Sequence, residues 1–336
     1  MSERIVVAQP IEAGVLQELQ EAGTVFVNSG PEPMPRNTLL DKCRSAEALM
    51  AFMTECIDAD FLDACPKLKI VAGALKGFDN IDVDACSKRG IAVSVVPDLL
   101  TEPTAELAIG LMIAVSRHMI EADRYVREGH FSGWRPRFFG GSLQGATVGV
   151  VGAGRVGQAI LRLLSGFRTK SLYFDRHALS PDTERALNTR RADLAELQVE
   201  ADFVVLALPL TPETIGLVDE AFIEGMKRGA YLINPARGSL VTESAVAAAL
   251  QSGHLAGFAA DVFEAEDWAR SERPAVVDPV LRQSPYTVLT PHIGSAVTDV
   301  RREITRSAAH SILAVLNGER PDTLINSDDI REMEAC

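Results

Sequence analysis

The stretch Thr147-Val-Gly-Val-Val-Gly-Ala-Gly-Arg-Val-Gly157 leads from an apolar strand into a helix through the spacing Gly152-x-Gly154-x-x-Gly157. The first glycine permits a tight turn, Gly154 lets the backbone approach a pyrophosphate, and Gly157 lets the helix pack closely on the strand. A helical pattern and a second strand, residues 171–174, follow. Glycines at this spacing could form no more than a flexible loop, but the ordered strand, helix and strand around them predict a dinucleotide site.

Asp175 follows the second strand, where an acidic residue can accept hydrogen bonds from the adenine ribose. Because a carboxylate there repels a 2′-phosphate, Asp175 predicts NAD as the cofactor. Arg176 stands next to it and could stack on adenine or partly neutralise a phosphate, so some use of NADP is also expected. The residues expected to contact the cofactor are Gly152, Gly154, Arg155, Val156, Gly157, Asp175, Arg176, Pro209, Ala236 and Asp261.

The composition limits the classes of protein to consider. A length of 336 residues favours about two domains, and 47% hydrophobic with 24% charged residues is ordinary for a chain with large cores. The formal charge of −13 argues against a general nucleic-acid surface, so an anionic ligand needs a local cationic pocket. The N-terminus lacks a signal-peptide pattern and no apolar run is long enough to cross a bilayer, which favours the cytoplasm without a membrane partner.

The cysteines give no sign of a metal site or a disulfide framework. They are Cys43, Cys56, Cys65, Cys86 and Cys336, an odd number with no C-x-x-C pair. Reduced thiols are therefore expected, and no metal site is predicted.

Short apolar strands alternate with amphipathic helices over residues 4–95 and again over 147–289. This alternation predicts an α/β protein with two doubly wound parallel sheets. The first sheet precedes the glycine motif, so it is assigned to a flavodoxin-like substrate domain and the second to a Rossmann-type cofactor domain.

Two helical runs connect these sheets. Residues 104–128 predict one long helix, and a final helix at 297–316 is expected to pack back on the first domain. The predicted domains are residues 1–99 with 291–336 for the substrate and 100–290 for the dinucleotide, with a cleft between them.

Three further segments stand at the ends of predicted strands, where open α/β sheets place their ligands. They are Asn234-Pro-Ala-Arg237-Gly-Ser, Asp261-Val-Phe-Glu-Ala-Glu266 and Thr290-Pro-His292-Ile-Gly-Ser295. Arg237 would hold an anionic oxygen, His292 would exchange a proton, and Glu266 would orient the imidazole. Each residue alone is more often structural, but together behind a dinucleotide motif they predict hydride chemistry on an anionic substrate.

The order of these motifs resembles the D-isomer-specific 2-hydroxyacid dehydrogenase superfamily over nearly the whole chain, and local segments resemble the phosphite (phosphonate) dehydrogenase family within it. Those segments are Met50-Ala-Phe-Met53, Ala74-Leu-Lys-Gly-Phe-Asp-Asn80, Val96-Pro-Asp-Leu-Leu-Thr101, Pro103-Thr-Ala-Glu-Leu-Ala-Ile-Gly110, Glu264-Ala-Glu-Asp-Trp-Ala-Arg270 and Thr290-Pro-His-Ile-Gly-Ser-Ala-Val297. Hydroxyacid dehydrogenases typically have Glu-Pro where this chain has Glu266-Asp267-Trp268, and they rarely carry Lys just before the Gly of the substrate loop.

The resemblance implies an enzyme that oxidises phosphite to phosphate with NAD, with water as the oxygen source. It implies catalytic roles for Arg237, Glu266 and His292. The residues that it implies for substrate binding are Lys76, Gly77, Met53, Trp134 and Ser295. Ser295 could instead cap the last helix. Phe139 stands where the resembled family has Tyr, so a hydrogen bond from that hydroxyl is absent and its role stays open.

Two alternatives stay open beside phosphite oxidation. One is a D-2-hydroxyacid dehydrogenase or hydroxypyruvate/glyoxylate reductase that uses the same Arg, Glu and His on a carboxylate. The other is a non-catalytic binding protein that senses NAD. The superfamily further implies a homodimer that forms through the helical region 104–128.

Overall fold

The computed structural model describes residues 4–96, 98–267, 270 and 272–329. Its elements, in chain order, are β1 (Ile5–Val7), α1 (Ala13–Ala22), β2 (Val25–Val27), α2 (Arg36–Cys43), β3 (Ala48–Ala51), α3 (Ala59–Ala64), β4 (Ile70–Gly73), α4 (Val83–Ser87), β5 (Ala92–Ser94), α5 (Thr101–Ser116), α6 (Met119–Arg127), β6 (Thr147–Val151), α7 (Arg155–Leu164), β7 (Lys170–Phe174), α8 (Pro181–Leu187), β8 (Thr189–Arg191), α9 (Leu194–Glu200), β9 (Phe203–Leu206), α10 (Glu220–Gly225), β10 (Ala230–Asn234), α11 (Glu243–Gln251), β11 (Leu255–Ala260), α12 (Pro279–Gln283), β12 (Thr287–Leu289) and α13 (Thr298–Leu316).

The chain forms two compact units. The first contains the described residues up to Leu100, Arg270, and those from Ala296 onwards, and the second contains Thr101–Asp267 and Glu272–Ser295. The sequence placed the domain boundaries after residues 99 and 290. Each unit is built on a parallel sheet with helices, so the predicted α/β class with two parallel-sheet domains is confirmed.

The first unit carries a parallel sheet in the order β2-β1-β3-β4-β5, the strand order of flavodoxin-like folds. The strands β1, β3 and β4 are buried along their whole length, because helices cover both faces of a parallel sheet. From the C-terminal part of the chain, α13 adds Ile304, Ala308 and Ile312 to the same core.

The segment after α13 also belongs to the first unit. The buried Asn326 side chain accepts a hydrogen bond from the Val93 N–H and donates to the Ile91 carbonyl, and Leu324 forms an antiparallel bridge with Ser94. These bonds satisfy backbone groups along the outer edge of β5, which is the last strand of its sheet.

The second unit carries a parallel sheet in the order β12-β11-β10-β9-β6-β7-β8. The strand β6, the fifth in this order, has β7 on one side and β9 on the other, so the strand order reverses there and ligands are expected at its carboxyl end. The strand β8 could not be predicted from the sequence, because its residues, Thr189-Arg-Arg191, are polar and lie at the edge of the sheet.

The prediction of a single helix at 104–128 was wrong in one respect. The structure breaks it into α5 and α6 at His118, which has a left-handed backbone with φ 51°. The Ser116 carbonyl accepts a hydrogen bond from the Gly141 N–H at 2.8 Å, which replaces the next bond of the helical ladder. The break therefore comes from a segment far along the chain rather than from a local breaker.

Candidate active site

Two glycines of the motif are required by the fold, whereas the third, Gly154, has open space beside it. Gly152 has φ 100°, and a Cβ there would lie 2.4 Å from the Ala207 carbonyl oxygen. A Cβ on Gly157 would lie 2.0 Å from the Gly152 carbonyl oxygen, whereas a Cβ on Gly154 would meet nothing within 4 Å. Open space beside the first residue of α7 fits a pyrophosphate, since the helix N-terminus offers backbone N–H groups there.

Asp175 ties the end of β7 to the glycine loop. Its carboxylate accepts hydrogen bonds from the Ala153 N–H at 2.8 Å and the His177 N–H at 2.9 Å. Two carboxylate oxygens have about four acceptor positions, so ribose hydroxyls can still be bound. The neighbouring Arg176 is exposed, and its carbonyl accepts from the Arg191 guanidinium.

The other cofactor candidates lie at the carboxyl ends of strands in the same sheet. Arg155 and Val156 begin α7, Pro209 follows β9, and Ala236 follows β10. The buried Asn234 shapes that last turn: its side chain accepts from the Ala236 N–H and donates to the Arg237 carbonyl.

Arg237 stands on a turn that packs directly on the segment carrying Glu266. A Cβ on Gly238 would lie 1.9 Å from the carbonyl carbon of Phe263, so only glycine allows this approach. The Arg237 side chain is half-buried, and one of its nitrogens donates to the Ala236 carbonyl at 2.8 Å.

His292 and Glu266 form a hydrogen-bonded pair. The distance from His292 Nδ1 to Glu266 Oε2 is 2.9 Å, and the two side chains are 32% and 29% exposed. The other oxygen of Glu266 accepts from the Phe263 N–H at 2.9 Å, which fixes the carboxylate on the 3-10 turn Glu264–Glu266. A carboxylate on Nδ1 sets the orientation of the ring and leaves Nε2 as the nitrogen for proton exchange.

Asp261 holds the loop that presents His292. Its buried carboxylate accepts hydrogen bonds from the Thr290 hydroxyl and from the N–H groups of Ile293 and Gly294. Burial raises the pKa of Asp261, and the same three hydrogen bonds act against that rise. His292 takes a left-handed backbone with φ 54° between these anchors. The sequence marked Asp261 only as a cofactor residue and missed this role, although an acid just after a strand is a common local acceptor.

Buried carboxylates around the Glu266 turn were also missed. The N–H of Glu264 donates to the Glu243 carboxylate at 2.8 Å, and the N–H of Glu243 donates to the Glu264 carboxylate at 3.0 Å. Burial raises the pKa of Glu243, which is almost fully covered. A Glu at the start of an apolar helix looks like an ordinary first-turn residue, so no sequence signal marks it.

The substrate candidates of the first unit lie on two neighbouring loops, after β3 and β4. Met53, Lys76 and Gly77 are half-buried there. The Asn80 side-chain amide donates to the carbonyls of Phe52 and Glu55 at 2.8 and 2.7 Å, and so joins the two loops.

Three candidates remain. Within the second unit Trp134 is 79% exposed and Phe139 is 77% exposed, while Ser295 is half-buried. The N-cap position of α13 is Val297, not Ser295. Trp268 lies outside the described residues.

Two features are absent from the part of the chain that the structure describes. Within it no three His, Cys, Asp or Glu side chains gather as metal ligands would. No helix there is long and apolar enough to cross a membrane.

A family model described as D-isomer specific 2-hydroxyacid dehydrogenase, NAD binding domain, matches residues 109–294. The chain belongs to this family. It is 38% identical to a glyoxylate reductase of Pyrococcus horikoshii over 98% of both chains. A solved structure of a protein from Thermus thermophilus matches with a TM-score of 0.87 and 36% identity, over 96% of this chain and 99% of that one.

An NADPH-dependent glyoxylate/hydroxypyruvate reductase from Sinorhizobium meliloti, in complex with NADP and malonate, matches with a TM-score of 0.84 and 28% identity over 98% of both chains. The family resemblance read from the motifs is thus confirmed, and the second unit is its NAD-binding domain. The Pyrococcus horikoshii and Sinorhizobium meliloti proteins agree in activity with the glyoxylate reductase alternative, and not with phosphite oxidation.

Proposed function

We propose that this family member transfers hydride between NAD and a small oxyanion, and that phosphite is its substrate. The observation that supports the chemistry is the His292–Glu266 pair, 2.9 Å apart, on loops that buried hydrogen bonds hold beside the Arg237 turn. Such a pair is suited to proton transfer, and an Arg is suited to binding an oxyanion through its planar donors.

Chain-specific residues favour phosphite over a 2-oxo acid. Asp267 stands where hydroxyacid dehydrogenases typically have proline, within one of the segments that resemble phosphite dehydrogenase, and its carboxylate accepts from the Ser239 N–H. Lys76 adds a second cation, and a compact dianion needs more positive charge than a monocarboxylate.

In the proposed reaction the P–H bond of phosphite breaks, a P–O bond to water forms, and phosphate is the product. Bound NAD supplies the hydride acceptor, held by the glycine loop and Asp175. Arg237 and Lys76 bind the phosphite oxygens, and His292, oriented by Glu266, takes the proton that the attacking water loses. The two electrons of the P–H bond leave with the hydride to NAD, and the proton from water goes to His292, so atoms and electrons balance.

Glyoxylate reduction is the second candidate, because two of the relatives named above are glyoxylate reductases, at 38% and 28% identity. The same Arg would then hold the carboxylate, and His292 would donate a proton to the carbonyl oxygen as the hydride arrives. The identities show the family, whereas its members differ in the anion that they accept.

One assay separates the candidates. Purified protein is mixed with NAD and phosphite, and separately with NADH and glyoxylate, while the NADH absorbance is followed. Phosphite-dependent NADH formation supports the proposal, and turnover of glyoxylate alone selects the reductase. Cofactor binding without turnover of either anion, or of a panel of 2-hydroxy acids, selects the NAD-sensing protein.

Lys76→Ala tests the second cation. We expect it to raise the KM for phosphite by about 10-fold or more, since a charge that pairs with the anion is lost. The control is Lys88→Ala, an exposed lysine of the same unit. An unchanged KM would remove Lys76 from the site.

A further inference from the structure

Asp267 follows Glu266 directly, and its side chain is turned into the protein. The residue is 7% exposed, and its Oδ2 accepts a hydrogen bond from the Ser239 N–H at 2.8 Å. Ser239 stands two positions after Arg237, within the 3-10 turn Gly238–Leu240. This bond therefore joins the end of the Glu266 turn to the turn that begins at Arg237.

The two turns also touch at a second point, near the start of the Glu266 turn. Gly238 already touches the Phe263 backbone so closely that no Cβ would fit. The start of the Glu266 turn is held from a different element, because the Glu264 N–H donates to Glu243 on α11. Asp267 therefore provides a side-chain bond that ties the far end of this turn to the Arg237 segment.

A carboxylate is suited to this task. A buried negative charge is unfavourable without donors, and a bond from a backbone N–H to a charged oxygen is stronger than a neutral one. The side chain is short, so its position follows the backbone of the turn closely, and the Glu266 carboxylate next to it is fixed at the same time by the Phe263 N–H.

We propose that Asp267 is a positioning residue that fixes the position of Arg237 relative to the Glu266–His292 pair. The proposal rests on the proposed hydride-transfer function, because it assigns the residue to that site. Arg237, which holds the substrate oxyanion, and His292, which takes the proton, must stay at a fixed separation. A displacement of such groups by about 1 Å lowers the rate by about 100-fold.

The variants Asp267→Ala and Asp267→Asn separate this role from others. Ala removes the acceptor, whereas the amide oxygen of Asn can still accept from Ser239. We expect Ala to lower kcat/KM by about 10- to 100-fold with an unchanged Kd for NADH, and Asn to stay within about threefold of the wild type. Asp219→Ala is the matched control, because Asp219 also accepts a backbone N–H, from Phe222, at the exposed start of α10.

Three results would overturn the proposal. They are wild-type kcat/KM in the Ala variant, an Asn variant as poor as Ala, or a loss of activity that the Asp219 control shows equally. If Asp267→Ala does not fold, Asp267→Ser replaces it under the same criteria, since its hydroxyl is too short to take the place of the carboxylate oxygen.

A second readout needs no turnover. Diethyl pyrocarbonate modifies uncharged imidazole, and peptide mass spectrometry follows its reaction with His292. Release of the Glu266 turn should make His292 react at least about threefold faster in the Ala variant and at the wild-type rate in the Asn variant. If the wild type turned over neither anion, the proposed function would fail, and equal His292 reactivity in all three proteins would then refute the positioning role separately.

Discussion

Gly154 and Gly157 belong to one motif, but we expect Gly154 to be required for cofactor binding and Gly157 for packing of the fold. A Cβ at position 154 meets nothing within 4 Å, so we expect Gly154→Ala to keep the melting temperature and to weaken NADH binding by about 10-fold or more, through contact with the cofactor. Gly157→Ala places a Cβ 2.0 Å from the Gly152 carbonyl oxygen and should destabilise the fold by about 2–4 kcal/mol. Calorimetry of unfolding and fluorescence titration with NADH test both; equal NADH affinity in Gly154→Ala would contradict the cofactor assignment.

Glu55 gives a pH-dependent prediction at the same scale. Burial raises its pKa above the ordinary 4.5, against opposing hydrogen bonds from Thr54 and Phe52. The folded protein therefore holds this proton more tightly than the unfolded chain, and the associated stability is present below about pH 4.5 and lost as the pH rises through the folded pKa. Glu55→Gln keeps an acceptor for the Phe52 N–H without the charge, so it should raise the melting temperature more at about pH 8 than at about pH 5. An equal shift at both pH values would show that Glu55 does not titrate in this way.

Residues with a local signature could be predicted from the sequence, and residues that act across the chain could not. Gly152 and Gly157 follow from a fixed spacing after an apolar strand. By contrast, the bond from Ser239 to Asp267 joins positions 28 apart, and Asn80 reaches Phe52 over the same separation. Such partners depend on which strands become neighbours, and no periodicity in the sequence encodes the pair.

At the scale of elements, the end of α5 shows how a distant segment fixes a helix boundary. The Ser116 carbonyl turns to the Gly141 N–H, and a Cβ on Gly140 would lie 1.9 Å from that carbonyl oxygen. We expect Gly140→Ala to lower the free energy of unfolding by about 2–4 kcal/mol, because either the helix end or the returning chain must move. The control is Gly166→Ala, because a Cβ there meets open space and the backbone is ordinary. Gly145 is unsuitable as a control because its φ of 80° would strain any other residue. Chemical denaturation of the two variants compares them, and equal stability would refute the close packing.

The same boundary explains what periodicity could and could not predict. Residues 104–128 carry a continuous helical pattern, and half of the residues of α5 are indeed buried. Nothing in that pattern marks His118, since the break is caused by Gly140 and Gly141, more than twenty residues further along the chain. Helices such as α8 and α9 were expected only as unplaced helices between strands, because seven residues give little periodic signal.

At the scale of the whole molecule, the surface around α6 predicts self-association. Within the second unit α6 has no buried residue, and Met119, Ile120 and Val126 on it are about half exposed. Trp134 and Phe139 add further exposed aromatic area in the segment that follows. Several large apolar side chains exposed in one segment can mark an interaction site, and the homodimer expected through this region remains our prediction.

Light scattering decides the question, with a dimer expected at twice the chain mass of 36.2 kDa. The double variant Ile120→Glu with Val126→Glu places charges on the exposed face of α6 and should give monomers, because an unpaired charge in an apolar interface is strongly unfavourable. The control is Val199→Glu on α9, an apolar residue of the same unit that is at least as exposed and should leave the dimer intact. A monomeric wild type would refute the prediction outright, and a dimer that survives both substitutions on α6 would place the interface elsewhere. Because Trp134 follows this helix, loss of activity together with loss of the dimer would further indicate that the apolar segment has to be covered for turnover.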